Sequence, residues 1–368
     1  MLLILIPVGL YSIFIFFILR GISKLSGYRV NSLCDKPDVS VIIPYRNEKH
    51  RADALLNSLR KLEYPLLKLR LIFVNDHSED GSETDFESFT KATRFQTLLL
   101  DLPNGLYGKK AAMELGLVHV NTKYVLFTDA DSQPNPKWVS EMLCFAENSK
   151  ADMVLGPVSM CGKSLVGKFQ EAEFLSLQAI TMGTAGFGKA VLSNAANMLI
   201  RNDCIQELDD PFKRDLSSGD DVFLLDALQN QGKRIQFNFH PDALVSTPAS
   251  EHLSQFLNQR ARWLSKTKKY RLNFSMLIAG IFGLLQFMAF AVISYLLITG
   301  QWAVLALFVF HKLVFDHLVF LRVRLQMRIK IRLFYTGLLS ILYPIWTIVS
   351  SVTAIFIKPK WKGRQVQV

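Results

Sequence analysis

Four stretches of the chain are long, apolar and almost free of charge, and a wholly soluble fold has no place for them. Met1 to Leu19, Phe274 to Ile298, Trp302 to Leu321 and Leu333 to Ile357 each approach the roughly 20 residues that a helix needs to cross the hydrocarbon core of a bilayer. Half of the 368 residues are hydrophobic (50%), and the excess collects at the two ends. Residues 1–22 read as a membrane anchor rather than a cleaved signal peptide, because no basic stretch precedes the run and no small-x-small cleavage site follows it.

Arg20, Lys24 and Arg29 follow the first run, and the bias of basic residues toward cytoplasmic loops places what comes next in the cytosol, with the N-terminus outward. The runs within 274–357 are three: the short Thr299-Gly300 break makes a tight hairpin of the first two, and a connector carrying Arg322, Arg324, Arg328, Lys330 and Arg332 belongs at the cytoplasmic face. Four simple crossings would put the basic tail 358–368, with Lys358, Lys360, Lys362 and Arg364, outside and against the charge rule. Pro344 could instead split the last run into a re-entrant pair that returns the tail to the cytosol. Both topologies stay open on the sequence alone.

The net charge of +11 does not call for nucleic acid, since the basic residues gather at 258–273, 322–332 and 358–364, beside apolar runs. Among them, Lys266, Lys268, Lys269 and Arg271 precede the second run as an interfacial belt. Anionic membrane lipids are the expected partner. Cys34, Cys144, Cys161 and Cys204 stand apart with no CxxC pair, which fits a reducing compartment with neither a disulfide frame nor a zinc site.

Residues 36–270 have the composition of a globular domain in which short β-branched runs alternate with helical patterns, so a mostly parallel α/β sheet is expected. Val39–Ile43, Leu71–Val74, Phe95–Leu100 and Tyr124–Phe127 read as buried strands, with helices near 50–62, 83–92, 108–120 and 135–147. Residues 164–189 have amphipathic spacing and read as an interfacial helix lying on the bilayer. His311, Lys312, Asp316 and His317, ionisable groups inside an apolar run, should face a bundle interior and pair with each other or meet an acceptor.

Three strands run straight into polar clusters: Pro44-Tyr45-Arg46-Asn47-Glu48, Asn75-Asp76-His77-Ser78-Glu79-Asp80 and Thr128-Asp129-Ala130-Asp131. In open α/β sheets ligands bind beyond the carboxyl ends of the strands, so the clusters should share a crevice. Asp129 and Asp131, separated by one small residue, can aim two carboxylates at a hard cation, Mg²⁺ or Mn²⁺, that also takes substrate phosphates. Asp76 can accept hydrogen bonds from a nucleobase or ribose, and Lys109 after Gly108 opens a helix whose N–H groups suit phosphate. Asp220 and Asp221 begin another helix, where one of them can serve as a general base. Gln259, Arg262 and Trp263 share one helical face, where an indole can stack on a sugar and a guanidinium can clamp a diphosphate.

With these residues in place, the stretch from Val39 to Trp263 closely resembles the membrane-bound glycosyltransferase family 2, which includes cellulose, chitin and hyaluronan synthases and single-transfer lipid glycosyltransferases. The resemblance implies a GT-A fold, that is, a Rossmann-like, mostly parallel sheet flanked by transmembrane helices. It also implies a nucleotide-sugar donor, a divalent metal (Mg or Mn) and an inverting hexosyltransferase mechanism. Pro44, Tyr45, Arg46, Asn47, Glu48 and Asp76 match the family's nucleotide-binding strand ends, with Lys109 and Asp129 joining them on the donor. Asp129 and Asp131 match its DxD, Asn194 and Asn197 its acceptor-side segment, Asp221 its catalytic Asp, and Gln259, Arg262 and Trp263 its Q-x-x-R-W motif. Asp220 stands where Glu is common, Glu114 where Asn is usual and Ala195 where many relatives have Gly.

The expected activity is transfer of a sugar to a lipid or lipid-linked acceptor by a cytosol-facing, membrane-embedded enzyme, forming a β-glycosidic bond. A processive polysaccharide synthase is the alternative within the same chemistry, and a catalytically silent membrane scaffold the alternative outside it. One anchor plus three further runs favours single transfer to a lipid or glycan acceptor over polymer extrusion.

Overall fold

A computed structural model describes residues 2–25, 34–212, 219–265, 273–357, 360–362 and 364–365. Arg29, Lys266, Lys268, Lys269, Arg271 and Lys358 lie outside the described residues. The chain divides into two compact units, an α/β unit of Tyr28–Met160, Leu192–Pro248 and Trp361–Val368 and a helical unit of Met1–Gly27, Cys161–Val191 and Ala249–Lys360. The stretch 36–270 is thus interrupted: 161–191 and the residues from 249 onward cluster with the apolar helices.

The first elements are α1 (Leu2–Leu25), β1 (Val39–Tyr45), α2 (Ala52–Leu59), β2 (Leu69–Asn75), α3 (Ser82–Ala92), β3 (Gln96–Asp101), α4 (Lys109–Val118) and β4 (Tyr124–Phe127). There follow β5 (Gln133–Pro134), α5 (Trp138–Ser149), β6 (Met153–Leu155), β7 (Val158–Cys161), α6 (Leu165–Ala185), β8 (Met198–Arg201), α7 (Asn202–Gln206), α8 (Asp220–Asn230), β9 (Ile235–Phe237) and β10 (Val245–Pro248). The chain closes with α9 (Leu253–Ser265), α10 (Phe274–Ile298), α11 (Trp302–Met327), α12 (Leu333–Phe356), β11 (Lys360–Trp361) and β12 (Arg364–Gln365).

In the α/β unit seven strands form one sheet in the order β3-β2-β1-β4-β8-β6-β9. The pairs β3·β2, β2·β1 and β1·β4 are parallel, β8 runs antiparallel to both its neighbours, and β6 and β9 are parallel again. Continuous apolar runs suit strands covered on both faces, and Val41, Ile42, Ile43, Leu71, Ile72 and Phe73 are fully buried. The strand expected at Phe95–Leu100 is present but not buried: β3 is the sheet edge with β2 as its one neighbour, a distinction that a short apolar run does not encode. Gly116 lets α4 lie close on the sheet, because a Cβ there would press into the side chain of Ile42.

Cys34 and Cys144 are joined by a disulfide with their Cα atoms 5.5 Å apart, which corrects the expectation of four separate thiols. The partners are 110 residues apart, so no local spacing announces them. Cys161 and Cys204 are free.

In the helical unit α6 is no surface-lying helix: most of it is buried against α1, α9, α11 and α12. Its amphipathic spacing marks only its most apolar stripe, while small residues on the rest of it admit neighbours. A Cβ on Gly21 of α1 would overlap the carbonyl of Gly183, and one on Gly186 would overlap that of Gly21, so glycine is what allows the two backbones to meet. The carboxylate of Glu251 accepts from the backbone N–H groups of Lys163 (2.8 Å) and Ser164 (2.6 Å), and the Ser164 hydroxyl caps α6 by accepting from Gly167 N (3.0 Å).

Among the described residues four helices, Ile4–Leu25, Phe274–Ile298, Trp302–Met327 and Leu333–Phe356, are long and apolar enough to cross a membrane. Pro344 sits inside one continuous helix, so the last run is not split. Of the ionisable residues of α11, Lys312 and Asp316 pair with each other, Nζ donating at 2.7 Å, while the Tyr11 hydroxyl donates to the same carboxylate and His311 meets Ser12 of α1 at 2.9 Å.

Candidate active site

The carboxyl ends of β1 and β2 are knotted together. Arg46, buried, donates from Nη1 to the carbonyls of Asp76 and His77 at 2.6 Å each. Asn47, at a positive φ of 50°, accepts from Glu79 N (2.8 Å) and donates its own N–H to Ser78 Oγ (3.1 Å). Asn75 donates to both Glu83 and Asp101 at 2.9 Å, which brings in the end of β3. Pro44 and Tyr45 are buried, and the Tyr45 ring stacks on Phe86 at 4.0 Å, so of the five residues Pro44–Glu48 these two serve as floor. The carboxylates of Asp76 and Glu48 are the buried anionic groups of the loops.

Asp129 and Asp131 follow β4, which pairs directly with β1. Lys109 Nζ lies 2.5 Å from Asp129 Oδ1, and Arg51 Nη1 lies 3.8 Å from Asp131 Oδ2. Burial first, and then the negative charge of Asp129, push the Asp131 carboxyl above the usual carboxylate range. Burial likewise raises Glu48, with Lys362 pulling the other way. Among the described residues no three His, Cys, Asp or Glu side chains gather as a closed metal cage. Two adjacent oxygen donors fit a hard cation whose shell is finished by phosphate and water. Glu48 Oε2 is a buried oxygen with no hydrogen-bond partner among the described residues, a polar atom placed for a bound group.

Gly219, in the left-handed region at φ 91°, turns the chain into α8, where Asp221 Oδ1 accepts from Val222 N at 2.8 Å. Lys110 reaches over the ring of Phe223 at 5.2 Å, so the start of α8 meets the start of α4, where Lys109 holds Asp129. Asp220 begins α8, but its side chain lies outside the described part. Asn194 makes a local turn by accepting from Ala196 N (2.9 Å). Asn197 is buried, accepting from Trp138 Nε1 and donating to the carbonyls of Pro157 and Ala243, each at 2.8 Å, so its amide ties β8 to its surroundings.

Gln259, Arg262 and Trp263 belong to α9 of the helical unit. There Gln259 accepts from Gln170, whose own oxygen accepts from Ser250 N at 2.6 Å. Trp263 packs against Phe174 at 6.2 Å, and Arg262 is half-buried. Arg260, which the motif leaves unassigned, is the buried member: it pairs with Glu173 and lies 4.1 Å from the centre of the Trp263 ring. Glu173, directly before the apolar Phe174 and Leu175 of α6, is the signal that could have found it.

The tail was expected to flank the membrane, yet two of its basic side chains enter the strand-end loops. Arg364 Nη1 donates to both oxygens of Asp76 at 2.9 and 3.1 Å, with its guanidinium 4.7 Å from the ring centre of Tyr107. Lys362 Nζ lies 2.6 Å from Glu48 Oε1. Only the basic composition of the tail, opposite an acidic cluster, hinted at this.

Residues 40–206 match the sequence profile of glycosyl transferase family 2, and residues 124–357 match that of glycosyl transferase family group 2. A probable glycosyltransferase, YdaM, of Bacillus subtilis (strain 168) is 28% identical over 62% of this chain and 54% of its own length. Glycosyltransferase AglE of Haloferax volcanii is 24% identical over 55% of this chain and 64% of its own. The chain therefore spans between about half and two thirds of these relatives. Among solved structures, the mannosyltransferase PcManGT from Pyrobaculum calidifontis, in complex with GDP-Man and Mn2+, superposes with a TM-score of 0.61 at 14% identity, covering 96% of this chain and 99% of that one. That likeness gives the α/β unit with its flanking apolar helices the GT-A fold.

Proposed function

The chain belongs to glycosyltransferase family 2, and from that premise we propose that it transfers a sugar from a nucleotide-sugar donor to a lipid or lipid-linked acceptor at a membrane, with inversion to a β-glycosidic bond. The observation that carries the reading is the pair Asp129 and Asp131 at the end of β4, held by Lys109 and Arg51 beside the ends of β1 and β2. Four helices of membrane-crossing length support a lipid-borne acceptor.

Asp76 and the loop 44–48 receive the nucleoside, and Lys109 turns a cation toward the diphosphate. Asp129 and Asp131 would hold a divalent ion, which when bound neutralises charge on the departing diphosphate. Asp221 accepts the proton of the acceptor hydroxyl as that oxygen attacks the anomeric carbon. The bond from the anomeric carbon to the diphosphate oxygen breaks with its electron pair leaving on the nucleotide. Attack opposite the leaving group inverts the centre, so an α-linked donor yields a β-linked product. Arg262 and Trp263 supply a guanidinium and an indole for diphosphate and sugar.

A screen of labelled nucleotide-sugars against membrane lipid extracts tests the reading. One sugar in an organic-extractable product is expected, while a long water-soluble polymer would replace single transfer by processive synthesis. Absence of nucleotide release across the donor panel, with wild type and D221N alike, would leave the silent scaffold.

A further inference from the structure

Arg364 and Lys362 occupy the same groups that a donor nucleotide needs, and we infer that these two side chains form an intramolecular plug of the donor crevice, which the nucleotide-sugar must displace. The inference rests on the donor-site reading above. Asp76 is 1% exposed, and both of its oxygens accept from Arg364. A guanidinium is flat, offers parallel N–H donors and stacks on aromatic rings. A nucleobase edge likewise presents a flat face and N–H donors to a carboxylate, and Arg364 does so here with Nη1 donating to both oxygens of Asp76 while the guanidinium covers Tyr107.

The second contact closes the neighbouring position. Lys362, at a positive φ of 47° between the two short strands β11 and β12, places Nζ on Glu48 Oε1 at 2.6 Å and near the carbonyl of Asn47 at 3.5 Å. Asp76 has one carboxylate, so a base and Arg364 cannot hold it together. The plug is therefore a competitor, and its tether makes the competition intramolecular, at an effective concentration on the order of millimolar for a short link. Nucleotide affinity is then reduced by the fraction of molecules in which the crevice is open. Arg364 keeps 31% of its side-chain surface exposed, so the ion pair can open without unfolding the sheet.

Calorimetric binding of UDP, GDP, CDP and ADP to the purified full-length chain in detergent with Mn²⁺, compared with R364A, R364Q and a chain ending at residue 358, tests the plug. The expected result is that the nucleoside diphosphate bound by the full-length chain binds about tenfold more tightly to R364A and to the shortened chain. R364Q, which keeps N–H donors but loses the charge, should fall between. Equal or weaker binding by R364A overturns the plug and makes the tail a bystander or a clamp, with the donor site itself intact. If no diphosphate binds to any form, the donor-site reading falls and the plug falls with it. Should the shortened chain not fold, the two point variants decide the matter.

Discussion

Arg260 and Glu173 form an ion pair shut away from solvent on both sides, with 6% and 4% of their side chains exposed. Removing one partner strands a buried charge, which costs on the order of 3–5 kcal/mol, whereas replacing both by apolar residues of similar size is often neutral. E173L alone should therefore lower the thermal midpoint of the detergent-solubilised protein sharply, and R260M with E173L should recover most of it. If the double variant melts as low as the single one, the pair contributes more than charge compensation.

Asp221, in the first turn of α8, is the proposed proton acceptor. D221N keeps the size of the side chain and loses its basicity, so turnover should drop about 10²- to 10⁴-fold, the usual worth of general base catalysis. Nucleotide binding, followed by calorimetry, should stay within a factor of about two. A variant that transfers sugar at the wild-type rate would remove Asp221 from its role.

Asp129 and Asp131 are the proposed ligands of a divalent ion. Chelation should stop transfer and added Mn²⁺ or Mg²⁺ restore it, while D131N should lose most Mn²⁺ binding in an electron paramagnetic resonance titration. Full transfer in the presence of excess chelator would contradict the assignment.

Glu251 is held below the usual carboxylate range by the backbone N–H groups of Ser164 and Lys163. Between the folded and unfolded values the unfolded chain binds more protons, so this stabilisation is complete above the ordinary carboxylate range and disappears as pH falls through the folded value. Melting curves should show E251Q a few degrees below wild type at neutral pH, with the gap closing on acidification. A gap that widened in acid would mean that another group dominates.

Gly183 meets α1 at Ile18 and Gly21 with no room for a Cβ. G183V should separate the two helices and destabilise the helical unit by about 1–3 kcal/mol, as overpacking does elsewhere. A paired control at Gly280, which has open space around it, should melt close to wild type.

Much of the α/β unit could be read from residue pattern because β1, β2 and β4 are short apolar runs that end abruptly in charge, and this is the signature of buried parallel strands with a crevice at their tips. The pattern was silent wherever partners are distant in sequence. Cys34 and Cys144, Arg260 and Glu173, and Arg364 and Asp76 are separated by 110, 87 and 288 positions, and periodicity carries no information over such distances. Amphipathic spacing misjudged α6 for a related reason: one apolar stripe looks the same whether it meets lipid or other helices, and only the glycines at 183 and 186 separate the cases.

The contact between Arg364 and Asp76 also constrains parity. Residues 248 and 361 both belong to the α/β unit with residue 76, so if that unit stays on one face of a bilayer the chain between them crosses it an even number of times. Three helices of sufficient length lie in that interval. Were α10, α11 and α12 all to pass from one face to the other, the guanidinium would be stranded across the membrane from its carboxylate. If this stretch does enter a bilayer, the contact is therefore incompatible with three full crossings by α10, α11 and α12 together.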